Sequence, residues 1–111
     1  MSTLLLRNGR VVDPSQGVDR VTDLWLSGGT VVGVGPQPRL TPGRALDCTG
    51  MLVCPGLIDM HVHLREPGRE EDETIATGTA AAVNGGVTSV ACMPNTEPAL
   101  DTQAAAEFVR L

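Results

Sequence analysis

At 111 residues the chain has room for one modest domain at the usual ~100–200 residues per domain, which excludes a two-domain enzyme or a closed eight-unit barrel of ~250 residues. One Trp, one Phe and no Tyr leave no stacked-ring platform for nucleic acid, and a net charge of −5 with a pI near 4.8 disfavours a phosphate backbone as partner. All eight basic residues are Arg, so no lysine Schiff base, phosphate-loop lysine or lysine-derived metal ligand can come from this stretch.

The apolar triplet Leu4–Leu6 is followed at once by Arg7, too short a run for a signal peptide. Cys48, Cys54 and Cys92 are odd in number and lack Cys-x-x-Cys spacing, which argues for reduced thiols and a cytoplasmic chain rather than a disulfide scaffold. Residues 3–54 alternate short β-branched runs with turn signals. Thr3–Leu6, Asn8-Gly9, Val11-Val12, Val21–Leu26, Gly28-Gly29 and Thr30–Val34 together predict hairpins. Pro36, Pro38, Pro42 and Gly43 mark a loop, and Arg44–Cys48 and Met51–Val53 are the next apolar runs. Residues 1–54 therefore read as a small β-rich unit.

From Pro55 the pattern changes to strand, helix, strand, helix: 57–64, 71–84, 87–93 and from 102 onward. Glu70, Glu71, Asp72 and Glu73 suit the positive end of the first helix dipole, and Asn84-Gly85-Gly86 supplies a left-handed stop. Ile75, Thr79, Ala82 and Val83 are its expected buried stripe. The charge-free run from Thr74 to Thr96 is long enough to span a bilayer, but Gly78, Asn84, Gly85, Gly86 and Pro94 mark it as buried structure instead. A strand, crossover helix and strand imply a right-handed parallel pair, the unit of a barrel or open sheet. The fold class is α/β, and residues 55–111, too few for eight such units, look like the start of a larger domain.

The chemistry is concentrated between Leu57 and Gly68. Side chains alternate on a strand, so Asp59, His61, His63 and Arg65 share one face while Met60, Val62 and Leu64 share the other. Two imidazoles two residues apart can reach one divalent ion, with Asp59 orienting them from behind and Arg65 placed to fork onto a carboxylate. The plainer alternative is a set of polar residues at a strand end, hydrogen-bonded to backbone. Burying three such groups without partners costs roughly 1–3 kcal/mol each, which favours the metal reading. Asn95, after the second strand, is by itself a turn residue as readily as a ligand. The acidic run Glu70–Glu73 is a solvated helix start sooner than a metal site.

Several segments taken together resemble the cyclic amidohydrolases, most closely the bacterial dihydroorotase family. They are Cys54-Pro55-Gly56-Leu57-Ile58-Asp59, His61-Val62-His63-Leu64-Arg65-Glu66-Pro67-Gly68, Glu73-Thr74-Ile75, Gly85-Gly86-Val87-Thr88 and Met93-Pro94-Asn95-Thr96. The resemblance implies a (β/α)₈ metal-dependent hydrolase barrel preceded by part of a β-sandwich, with 1–54 in the sandwich and 55–111 as the first two βα units. It makes His61 and His63 ligands of zinc, one or two ions in the complete site, and Arg65 and Asn95 the binders of a substrate carboxylate. The implied reaction interconverts N-carbamoyl-L-aspartate and L-dihydroorotate. The implied partners are that small anionic substrate and either a second copy or aspartate carbamoyltransferase, with no nucleic acid or membrane.

The family's further histidines and bridging ligand have no counterparts here, since His61 and His63 are the only histidines and Lys is absent. Its aspartate general acid/base belongs to a later barrel strand and is expected beyond Leu111, so no residue of this chain is assigned that catalytic role. The chain alone is therefore expected to bind zinc weakly, to show no turnover and to associate through open sheet edges. An allantoinase or hydantoinase is the neighbouring enzyme alternative, and a non-catalytic dihydroorotase-like scaffold for aspartate carbamoyltransferase is the alternative of a different kind.

Overall fold

The β-branched runs of the first half join into longer strands than their spacing suggests. In the computed structural model, which describes residues 2–110, β1 (Thr3–Asp13) runs straight through Asn8-Gly9, where the sequence predicts a turn. Asn8 takes φ 59°, a conformation its short polar side chain tolerates, and its N–H donates to Asp23 Oδ1 at 3.0 Å. Pairing with β2 (Val18–Ser27) slips between Leu6 and Gly9, so the dipeptide forms a bulge and the strand continues.

The chain reverses later, in a 3₁₀ turn at Pro14–Gln16 that Asp13 caps by accepting the Ser15 N–H at 3.0 Å and Gly17 closes at φ 63°. Gly28 and Gly29, at φ 58° and 79°, make the predicted two-residue turn into β3 (Thr30–Val34). Two short strands, β4 (Arg44–Asp47) and β5 (Leu52–Val53), then pair parallel with β1. The sheet order is β3-β2-β1-β4, with β5 also on β1.

Leu5 faces Trp25 across β1 and β2, and both are buried with Val11 and Cys48. Gly9 is buried at the bulge, where a Cβ would stand 2.5 Å from Val53 Cγ2, so β5 owes its close approach to the missing side chain. On the solvent side Arg10 grips Asp19 through Nε and Nη2 at 2.8 and 2.9 Å. That fork lowers the Asp19 pKa below the ordinary carboxylate value. Its contribution to stability is therefore present above the ordinary Asp pKa and fades as pH falls through the lowered value. NMR titration should find the Asp19 carboxyl midpoint below that of an ordinary Asp, and Arg10→Ala should return it. An unchanged midpoint in Arg10→Ala would show that the fork does not persist in solution.

Residues up to Pro55 form one compact unit and those from Gly56 a second. In the second, β6 (Leu57–Val62) and β7 (Val87–Cys92) pair in parallel, with α1 (Ile75–Asn84) between them in sequence and α2 (Gln103–Arg110) after them. The chain is thus α/β with a mixed sheet and a two-stranded parallel pair. The second βα unit is expected to run through Leu111; α2 is described as far as Arg110, and Leu111 lies outside the described residues.

Four details differ from the sequence reading. The strand stops at Val62, not Leu64. The helix starts at Ile75, not at 71, because Thr74 and Thr77 form a reciprocal capping box. The acidic run lies in the turns before it, where Glu70 accepts the Gly68 N–H at 2.9 Å. Val83, assigned to the buried stripe, is 66% exposed, while Ile75, Thr79 and Ala82 are half-buried. Gly86, at φ 84°, is the left-handed residue after the helix. The charge-free stretch is divided between α1 and β7, and no helix among the described residues is long and apolar enough to cross a membrane.

Candidate functional site

The end of β6 and the two loops that follow the parallel strands bring the polar side chains together. β6 and β7 are out of step between Asp59 and Val62, where three steps on β6 oppose two on β7. The extra residue breaks simple alternation between Asp59 and Val62. Asp59 Oδ1 accepts the main-chain N–H of His61 at 3.1 Å, so this carboxylate holds the strand backbone at the first imidazole. His61 Nε2 lies 3.2 Å from His63 Nε2, with the rings at 60° and their centroids 5.1 Å apart. Both imidazoles are exposed, as is Asp59, so none of the three carries the burial cost expected from the sequence.

Whether these two nitrogens suit a metal can be judged from their separation. Two nitrogens bound at ~2.0–2.1 Å to one tetrahedral ion stand roughly 3.3–3.4 Å apart. The separation of 3.2 Å fits joint ligation of one ion. No set of three or more His, Cys, Asp or Glu converges among the described residues, and two imidazoles by themselves would fill only part of a three- or four-ligand site. The aspartate acid/base that the family resemblance implies is expected beyond Leu111, outside the described residues.

Asn95 arrives from the loop after β7, and its Oδ1 is 3.0 Å from His63 Nδ1. Arg65 is half-buried and shares a concavity of about 230 Å³ with Pro67, Arg69, Asn95, Thr96 and Glu97. The structure therefore gathers His61, His63 and Asn95 by direct contact and sets Arg65 beside Asn95. A guanidinium and an amide lining one small concavity offer donors of the kind a carboxylate takes.

Two residues that hold this arrangement escape sequence reasoning. Glu66 Oε2 accepts the Ile75 N–H at 2.7 Å, placing a carboxylate on the N-terminus of α1 in the role that the sequence assigns to Glu70–Glu73. Nine residues separate the two groups, outside any local capping pattern, so no sequence signal could have marked it. Gly68 takes φ 109°, and a Cβ there would stand 2.5 Å from the Glu97 carbonyl oxygen. Beside it the Glu97 N–H donates to the Pro67 oxygen at 3.0 Å. The loop bearing Arg65 is thus fastened to α1 on one side and to the loop bearing Asn95 on the other.

Comparison with known proteins adds sequence and structural likeness. A family model described as dihydro-orotase-like matches residues 50–111. The curated dihydroorotase of Citrifermentans bemidjiense is 52% identical over 109 residues, covering 96% of this chain and 25% of its own length. That of Geobacter metallireducens is 50% identical over 107 residues with the same coverage, 96% and 25%. The chain spans about a quarter of the length of the curated relatives it matches. Among solved structures, L-hydantoinase (dihydropyrimidinase) from Arthrobacter aurescens superposes with a TM-score of 0.79 at 25% identity, over 95% of this chain and 23% of that one. Dihydropyrimidinase from Brevibacillus agri gives 0.74 at 31% identity, over 96% and 23%.

Proposed function

Because the chain belongs to the dihydroorotase-like family, we propose that it carries the first metal ligands and the carboxylate-binding residues of a zinc-dependent dihydroorotase. In this reading residues 55–111 are the first two βα units of a (β/α)₈ barrel, and residues 1–54 are part of a β-sandwich. His61 and His63 hold the zinc, and Arg65 and Asn95 bind the carboxylate of L-dihydroorotate or N-carbamoyl-L-aspartate. The observation that carries the reading is the approach of the two Nε2 atoms to 3.2 Å beside the Arg65–Asn95 concavity.

When bound, a divalent metal polarises the ring amide carbonyl and lowers the pKa of a coordinated water towards neutrality. The chain's own residues prepare that chemistry by placement. Asp59 fixes the main chain at His61, and Glu66 and Gly68 hold the loop from which Arg65 meets the substrate carboxylate. A carboxylate gripped in that concavity is kept next to the paired imidazoles, because Asn95 lines the one and touches the other. The free thiols Cys48, Cys54 and Cys92 suit a reducing, cytoplasmic setting.

The likeness to hydantoinase structures supports one second reading, a cyclic amidohydrolase acting on hydantoin or allantoin rings. Arg65 discriminates between the two, since a ring without a carboxylate gives its guanidinium nothing to fork onto. A chimera with this chain in place of the segment it matches in the Citrifermentans bemidjiense enzyme should turn over dihydroorotate in preference to allantoin or hydantoin. In that chimera Arg65→Ala removes charge-assisted hydrogen bonds worth ~1.5–3 kcal/mol, a loss of about 10- to 150-fold in kcat/KM for dihydroorotate. Zinc content should stay at the parent level. A preference for allantoin, or an Arg65→Ala variant with unaltered kcat/KM, would favour the second reading.

A further inference from the structure

His63 meets its two neighbours through different ring nitrogens: Nε2 lies 3.2 Å from His61 Nε2, and Nδ1 lies 3.0 Å from Asn95 Oδ1. A neutral imidazole carries one N–H and one lone pair, and a metal takes the lone pair. Joint ligation by the two Nε2 atoms therefore requires the His63 proton to sit on Nδ1. The acceptor that this proton needs is the Asn95 side-chain oxygen. The opposite tautomer would aim an N–H at the point where the imidazoles converge and would set the Nδ1 lone pair against the lone pairs of that oxygen.

We propose that Asn95 is a positioning residue for His63 as well as a binder of substrate. Its Oδ1 fixes the Nδ1–H tautomer, and its amide NH₂ remains to donate to a carboxylate in the concavity it shares with Arg65. The assignment rests on the metal reading above and extends it, since one side chain then couples the metal ligand to the substrate. The loop is built to keep that side chain in place. Leu100 N–H donates to the Pro94 oxygen at 3.0 Å, Thr96 Oγ1 donates to the Pro98 oxygen at 2.8 Å, and Glu97 N–H reaches across to Pro67 at 3.0 Å. Asn95 lies between Pro94 and Thr96, both tied by these bonds, and 32 residues from the ring it orients.

The chain has two histidines, so long-range ¹H–¹⁵N spectra of the uniformly labelled 111-residue protein, metal-free, read each tautomer directly. His63 should be in the Nδ1–H form. Asn95→Ala should release it to a mixture rich in Nε2–H, whereas Asn95→Asp, which keeps an acceptor oxygen, should hold Nδ1–H. Zinc affinity, measured by competition with a chromophoric chelator, should fall about 10- to 100-fold in Asn95→Ala and be retained in Asn95→Asp. Backbone amide signals of β6, α1 and β7, in the same unit as Asn95 and His63, serve as the check that each variant is folded. His63 found as Nε2–H in the parent chain would overturn the proposal, and so would a tautomer unmoved by Asn95→Ala in a folded variant. Absence of zinc uptake with the Nδ1–H form intact would instead overturn the metal reading and leave the Asn95 contact standing.

Discussion

Replacing His61 with Ala in the chimera should abolish zinc uptake and dihydroorotate turnover together. His61 and His63 are the two imidazoles of the chain, and their Nε2 atoms stand 3.2 Å apart at the end of β6. Removing one leaves a single neutral nitrogen from this segment, too little to hold its side of a three- or four-ligand zinc site. Metal loss and activity loss should therefore track each other across His61→Ala and His63→Ala, and added zinc should restore neither at micromolar concentration. The imidazoles are exposed and contribute little packing, so the variants should keep the parent's far-UV circular dichroism. A folded His61→Ala chimera with full zinc content and normal turnover would remove both residues from the site.

The second large effect lies away from the chemistry, in the sheet of the first unit. Trp25 is 6% exposed and faces Leu5 across the β1–β2 ladder, with Val11 and Cys48 also buried there. Trp25→Ala should cost about 3–5 kcal/mol, the range for emptying a buried aromatic site and a large share of the stability of so small a unit. Its indole Nε1 is buried with no hydrogen-bond partner among the described residues. An unpaired buried donor is itself unfavourable by ~1–3 kcal/mol. Trp25→Phe, which removes that donor while keeping a ring, should thus lose far less stability than Trp25→Ala. Urea unfolding followed by circular dichroism measures both, and equal losses in the two variants would contradict the packing account of this site.

What could be read in advance depended on how local each signal was. Gly28-Gly29 encodes its turn in two residues, and the His-x-His pair is near by sequence alone, so both are legible even though the strand ends at Val62 and its alternation is broken before that. Asn8-Gly9 carries the same turn chemistry as Gly28-Gly29, yet it becomes a bulge. The difference is set by the Asn8 N–H bond to Asp23 and by the space Gly9 leaves for Val53 on another strand, neither of which is a neighbour in sequence.

The helix start moved from 71 to 75 for a related reason. The acidic run had the right charge, but the reciprocal Thr74–Thr77 cap and the Glu66 carboxylate on Ile75 take the helix N-terminus first. At the site, residue types and spacing picked out His61, His63, Arg65 and Asp59, whereas Asn95 needed the family resemblance to rise above a turn residue. The contact between Asn95 and His63 spans 32 residues and two loops, and only the fold brings it together.

Joint binding of one divalent metal by His61 and His63 through Nε2 can be followed directly by titrating zinc into the ¹⁵N-labelled chain and reading the four imidazole nitrogens. The Nε2 resonances of both residues should move together along one binding curve, while His63 Nδ1 stays protonated. Movement of one ring alone, movement through Nδ1, or no movement at millimolar zinc would contradict joint binding.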